Sequence, residues 1–348
     1  MLSFYPGPSK VHPEALGYIQ EAFEQGIVSI NHRSERFEKL LEDTFEVLHQ
    51  KWNIPSNYTI YFVSSATEAW EIVIQSLVRE KSTHLYNGAF GKKWAHYAGS
   101  IAESVEFSVG QSLAELSLQI GPIQADTLCL VQSETSNGTG QQIRRADFQL
   151  ADDALIAVDA TSSMGGIELP WNEADVWLAS VQKCMGIPAG MGILICSPKA
   201  LERAKVLNRA THYNDILFLE ENRRMFQTQM TPNVLSIYLV YRLTQQLPAL
   251  SETHRVTLAK MKMWTDFWDN QPDFHYLIEN PELRLPTVLA LTGSPERIKQ
   301  LHKKCLENGI ELGKGYGKWK ETSFRIANFP SHTVEDIETL IQTISHEL

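Results

Sequence analysis

The chain has 348 residues, 43 % apolar and 21 % charged, the balance of an ordinary globular protein with core enough for one large domain and a smaller one. Thirty-one basic residues against forty-one acidic ones give a formal net charge of −10, which argues against nucleic acid as the main partner, because phosphate binding needs a positive footprint. No uninterrupted apolar run approaches the ~18 residues of a membrane helix, so no membrane partner is expected.

The first fifteen residues contain three prolines and read as an extended arm. In "SERFEKLLEDTFEVLHQKW", Phe37, Leu40, Leu41, Thr44, Phe45 and Leu48 fall on one helical stripe, with Ser34 as N-cap. "YTIYFVSS" reads as a strand, and "ATEAWEIVIQSLV" follows as a helix with Ala66, Ala69, Trp70, Val73, Ile74 and Leu77 at helical spacing. Further strand candidates are "THLYN", "SVEFSV", "TLCLVQS", "LIAVDA", "VWLASV" and "GILICS", most of them separated by helix or loop. Strands alternating with helices predict a mainly parallel α/β sheet covered on both faces.

After residue 231 the texture changes. "PNVLSIYLVYRLTQQL" and "HRVTLAKMKMWTDFWDN" read as long helices, and "RLPTVLALT" and "TSFRIANF" as strands. "GKGYGKWKE", Gly313 to Glu321, reads as a solvated, positively charged loop. "HTVEDIETLIQTISHEL" is a helix opened by a Thr333–Asp336 capping box, with Val334, Ile337, Leu340, Ile341 and Ile344 as its apolar stripe. The expected architecture is a large α/β domain at 16–245 and a smaller α+β domain formed by 1–15 and 246–348.

Four cysteines, Cys129, Cys184, Cys196 and Cys305, are scattered without C-x-x-C spacing. Neither a zinc site nor a disulfide framework is expected, which suits a reducing compartment. The N-terminus lacks the basic start and apolar core of a signal peptide, so a cytoplasmic location is expected. The eleven histidines show no ligand spacing, and no metal is expected.

Ligands in open α/β sheets bind at the carboxyl ends of the strands. Polar residues predicted there include Ser64, Ser65, Asn87, Glu134, Thr135, Asp159, Gln182 and Lys183. Lys183 is flanked on both sides by apolar sequence, so either it snorkels to the surface or something in the core is bonded to it. Asp159 closes one strand and Lys183 follows another, so carboxylate and amine could face one crevice. Pyridoxal phosphate needs this pair: a lysine for the Schiff base and an acid to keep the pyridine nitrogen protonated. The helix start at "SSATEAW" offers backbone N–H donors to a phosphate.

These segments resemble the class V aminotransferases, which are fold type I pyridoxal-phosphate-dependent transferases, and among them the phosphoserine aminotransferase group. "SVQKCMGIPAGMGILI" is similar to that group's Gln-Lys segment and glycine-rich turn, and "VDATSS" to the strand end bearing the pyridine-nitrogen aspartate. "NHRSERFEKLL", "MTPNVLSIYL" and "FRIANF" resemble its helix start, its cross-subunit segment and its carboxylate-arginine strand. The resemblance implies that Lys183 carries the cofactor and shuttles a proton, that Asp159 pairs with the ring nitrogen, and that Thr135 bonds near the ring's polar edge. It implies that Phe90 stacks on the ring and that Ala66, Thr67 and Gln182 hold the phosphate, with Thr231 from a second subunit. Arg325 would clamp the substrate α-carboxylate, and His32 and Arg33 would read the substrate's far end across a homodimer interface.

The implied reaction is transamination between an amino acid and a 2-oxo acid, with phosphoserine and 2-oxoglutarate the leading pair. Where the group carries a His-Arg pair, this chain has Lys318 and Trp319, so aminotransferases acting on alanine, serine or glyoxylate are the alternative. A cysteine desulfurase-like lyase and a non-catalytic binding protein of the same fold are further alternatives. The lyases typically carry histidine where this chain has Gln182.

Overall fold

The computed structural model describes residues 1–209 and 212–345. Runs such as Leu155–Asp159, Val176–Ser180 and Gly192–Cys196 are apolar almost throughout rather than alternating, and every residue in them is buried. That pattern suits strands covered on both faces. Among the described residues, seven strands form the central sheet in the order Thr59–Val63, Gly192–Cys196, Val176–Ser180, Leu155–Asp159, Thr127–Val131, Ser82–Tyr86, Ala102–Glu106. All neighbours are parallel except Gly192–Cys196, which runs antiparallel to both strands beside it. The fold is therefore the expected mainly parallel α/β arrangement.

One strand lies earlier than its sequence suggested. "SVEFSV" was expected, yet the strand is Ala102–Glu106, half-buried to exposed along its length. It sits at the sheet edge, where its bounds come from register with Ser82–Tyr86 and not from a buried apolar run.

The helix Glu35–Trp52 buries the whole expected stripe, and the Ser34 hydroxyl accepts from the Phe37 amide at 3.3 Å. Ala66–Leu77 buries its stripe likewise, capped by Ser65. The second long C-terminal helix, Leu250–Trp268, begins four residues before His254, because Leu250 is itself part of the core. At Thr333 the capping box forms as expected: the Thr333 amide donates to Asp336 at 2.8 Å and the Asp336 amide to Thr333 Oγ1 at 3.1 Å. That helix is described over Val334–Ser345; the rest of the expected helix, 346–348, lies outside the described residues.

A second sheet has the order Leu2–Phe4, Ile310–Lys314, Ser323–Ala327, Val288–Thr292, His275–Tyr276. Its first pair is parallel and the others antiparallel. The N-terminal arm thus supplies an edge strand, then crosses to the central sheet, where Ser9 N donates to Gln182 O at 3.1 Å and His12 N to Gly186 O at 2.8 Å. Gly313 and Lys314 belong to a strand here and not to the expected loop. Gly313 pairs with Arg325, which settles the register beside the site. Our proposed domain division, 16–245 against 1–15 with 246–348, follows these two sheets.

The strand Thr127–Val131 is anchored at its start by Asp126, which accepts from the amides of Arg79, Glu80 and Lys81 at 2.9, 2.7 and 3.1 Å and from Arg203 at 3.2 Å. Burial pushes this carboxyl up, but the three amide donors outweigh it and hold it below the usual range. Among the described residues, Asp126→Ala would leave the buried Arg203 with only the exposed Asp153 as counter-charge. The substitution is expected to cost about 3 kcal/mol in urea denaturation. Because the folded pKa is depressed, this contribution is full above the unfolded value of about 3.9 and is lost as pH falls through the lower folded value.

Candidate active site

A cavity of about 220 Å³ opens where Val131, Asp159 and Ser180 end their strands, between the two sheets. Lys183 reaches it from the turn after Val176–Ser180. Its side chain does not snorkel: the residue is 6 % exposed, and Nζ donates to Thr135 Oγ1 at 2.7 Å and to Ser162 Oγ at 3.0 Å. Among the described residues no carboxylate pairs with it. The stem passes under Gly7, where a Cβ would lie 3.0 Å from Lys183 Cε, and Nζ stands 5.1 Å from the Phe90 ring centre. Burial lowers the amine to about 8, against the upward pull of Asp159 and Glu134 and with a further downward push from Arg325. Near neutral pH a usable fraction is therefore uncharged.

Asp159 is buried across the cavity from that amine, its Oδ2 accepting from Trp70 Nε1 at 2.9 Å and its Oδ1 from Thr161 N at 2.8 Å. Burial pushes its carboxyl up, while these bonds and Lys183 favour the charged form. Beside it, Thr161 lines the cavity, and its hydroxyl and amide both draw the Asp159 carboxyl down. Trp70 read as a core position on its helix, and nothing in that spacing distinguishes a tryptophan whose N–H meets a carboxylate.

Arg325, 4 % exposed on Ser323–Ala327, donates to two carbonyls, Lys314 O and Thr135 O, both at 2.9 Å. Among the described residues it has no acidic partner. Its guanidinium lies 5.4 Å from the Tyr316 ring centre, and that ring stacks on Phe90 at 5.5 Å. Tyr316 comes from the segment read as a solvated loop and instead closes one wall of the cavity. Its only signal was an aromatic residue between glycines.

The helix start at Ala66 borders the same cavity. The Ala66 amide donates to Ser180 Oγ at 3.0 Å, so within this chain that donor is already engaged. Thr67 is exposed at the rim, and Gln182 is half-buried beside Lys183. The structure therefore brings Lys183, Asp159, Thr135 and Arg325 together with Phe90, and adds Ala66, Thr67 and Gln182 at one end. His32, Arg33 and Thr231 do not line the cavity of their own chain. Thr231 is exposed, and Arg33 donates to the neutral amides of Asn222, at 3.0 Å, and Gln227.

The sequence profile of aminotransferase class-V matches residues 2–317. The chain belongs to the class-V aminotransferase family. A phosphoserine aminotransferase of Rhodococcus opacus is 27 % identical over 355 aligned positions, covering 97 % of this chain and 92 % of the relative. A solved phosphoserine aminotransferase structure from Cytophaga hutchinsonii superposes with a TM-score of 0.91 at 32 % identity, over 100 % of this chain and 99 % of that one. A solved alanine–glyoxylate aminotransferase from Nostoc shares the fold, with a TM-score of 0.81 at 22 % identity over 99 % of this chain and 95 % of the other.

Class-V aminotransferases use pyridoxal phosphate, and the residues present fit that group. A buried amine and a buried carboxylate line one cavity without forming an ion pair among the described residues, and an aromatic face stands beside the amine. Added pyridoxal phosphate is expected to give a visible absorption band with the wild type and none with Lys183→Ala. The neutral amine is the reacting form, so the rate of band growth should rise with pH and level off above about 8.

Proposed function

We propose that the chain catalyses transamination between phosphoserine and 2-oxoglutarate. The observation that carries this reading is a Lys183 amine and an Arg325 guanidinium lining one cavity, both buried and both without a carboxylate partner among the described residues. The naming of its relatives supports phosphoserine as the amino donor.

In this reading Lys183 bonds the cofactor and later carries the α-proton, Asp159 keeps the ring nitrogen protonated, and Thr135 donates at the polar edge. Phe90 lies against the ring, while Ala66, Thr67 and Gln182 hold the phosphate with Thr231 of a second subunit. When bound, the cofactor supplies an electron sink for the carbanion formed on proton removal. The protein's own work is to desolvate the amine so that it can act as a base near neutral pH, and to exclude water from it. Arg325 offers planar paired donors to an α-carboxylate, the geometry such a group accepts best.

Arg33, held by neutral amides only, keeps its charge for an anion, and with His32 we assign it to the donor's far end in the neighbouring subunit of a homodimer. On four unpaired cysteines we place the protein in the cytoplasm, where phosphoserine as donor would put it in serine biosynthesis. The same cysteines speak against a desulfurase-like lyase, which needs an accessible, easily ionised thiol. All four are buried, and burial pushes Cys184 up to about 12.

Phosphoserine, alanine, serine and glutamate offered singly should separate the readings. Loss of the Lys183-dependent band with phosphoserine supports the proposal, and a response to alanine or serine alone selects the alternative aminotransferase. No response to any donor points to a binding role. Arg325→Ala should raise the donor KM about 100-fold, because a buried charge pair loses one member, with a smaller effect on kcat.

A further inference from the structure

Ser162 has none of the roles assigned above and does not line the cavity. It lies in the turn after Asp159, fully buried, with its hydroxyl 3.0 Å from Lys183 Nζ. Thr135 Oγ1 is the amine's other partner, at 2.7 Å, and the two hydroxyls are in contact. The backbone of Ser162 is clamped from three separate segments. Its amide donates to Ser133 Oγ at 3.0 Å, and its carbonyl accepts from the Cys184 thiol at 3.2 Å and from the Thr287 hydroxyl. A residue fixed in this way cannot follow a long, flexible lysine stem, so any contact is made by the amine returning to it.

We propose that Ser162 is a positioning residue, whose Oγ forms with Thr135 Oγ1 the docking point to which the Lys183 amine returns whenever it is not bonded to cofactor. The inference rests on the pyridoxal-phosphate reading of the site. Its physical basis is the neutrality of the acceptors. A carboxylate at this point would hold the ammonium's proton too strongly for a base, whereas burial without any acceptor would strip the proton away. Hydroxyl oxygens lie between these extremes, bonding the ammonium more strongly than the neutral amine because charge-assisted bonds are stronger. The charged and titratable groups around the amine are Asp159 and Glu134, which pull its pKa up, Arg325, which pushes it down, and the Cys184 thiol.

The test uses cofactor-free full-length protein with ¹³C-labelled lysine, the Lys183 resonance being assigned by its loss in Lys183→Met. Ser162→Ala and Ser162→Cys are each expected to lower the titration midpoint of that resonance by about one pH unit. Cysteine fills the serine's space but is a weak acceptor, so it separates the hydrogen bond from packing. Ser163→Ala is the control: Ser163 is buried in the same turn, and its hydroxyl bonds to Gln132, to Ala160 O and to the Ser133 hydroxyl that receives the Ser162 amide, but not to Lys183. It should keep the wild-type midpoint. The proposal is overturned by unchanged midpoints in both Ser162 variants, by a shift in the alanine variant alone, or by an equal shift in Ser163→Ala. A wild type that forms no Lys183-dependent band with pyridoxal phosphate would instead overturn the functional reading, in a measurement separate from this titration.

Discussion

An amine taken out of water without a counter-ion is the constraint on which the rest of this site depends. Burial disfavours the charged form of any lysine, and the penalty is usually relieved by a carboxylate partner or by escape of the amine to the surface. Among the described residues Lys183 has neither and is held by two hydroxyls, so its pKa falls into the range where a base works at neutral pH. Two sheets and the N-terminal arm are needed to keep it there. Gly7 of the arm lies against the lysine stem with a φ of +157°, a conformation that L side chains rarely adopt, so glycine suits both the backbone and the space.

The same logic extends to other charges, in the cavity and outside it. Asp159 is held by an indole N–H and an amide, Arg325 by two carbonyls, and Arg33 at the surface by two side-chain amides. Neutral partners fix each group in place while leaving its charge uncancelled. Lys183 and Asp159 attract each other and line one cavity, yet no ion pair forms between them among the described residues. Charges kept apart at a cost in folding energy are what a ligand-binding role, as proposed for these residues, would require.

Much of this was legible in the sequence because the strands are buried on both faces and therefore read as near-continuous apolar runs. Asp159 and Lys183 stand out as charged residues at the ends of such runs, and Arg325 as one inside a run. What stayed hidden is what depends on contacts between distant segments. Trp70 occupies a helical core spacing, and only the fold brings its N–H to Asp159. Tyr316 sits in a glycine- and lysine-rich stretch with the composition of a solvated loop, yet packs on Phe90. Ser162 is one of two adjacent serines, and sequence offers no means of telling which one faces the amine. Residues expected to act across a subunit boundary, His32, Arg33 and Thr231, have no counterpart within their own chain's cavity.

The wall formed by Phe90 shows how one buried acid can organise a site without touching what the site binds. Glu134 lies at the positive end of the helix Ala89–Ala98, its carboxylate accepting from the amides of Phe90 and Gly91 at 3.2 Å and from Ser136 N at 3.0 Å. Burial pushes this carboxyl up, and the amide and hydroxyl donors pull it back. The approach is so close that a Cβ on Gly88 would lie 2.2 Å from Glu134 Cγ, so only glycine lets helix and carboxylate meet. Phe90 is thereby fixed at its backbone while its ring stacks on Tyr316, in the loop between Ile310–Lys314 and Ser323–Ala327. A carboxylate at a helix start, a glycine beside it and an aromatic pair thus tie the helix Ala89–Ala98 to the loop before Ser323–Ala327 beside Lys183, whose own burial lowers its amine.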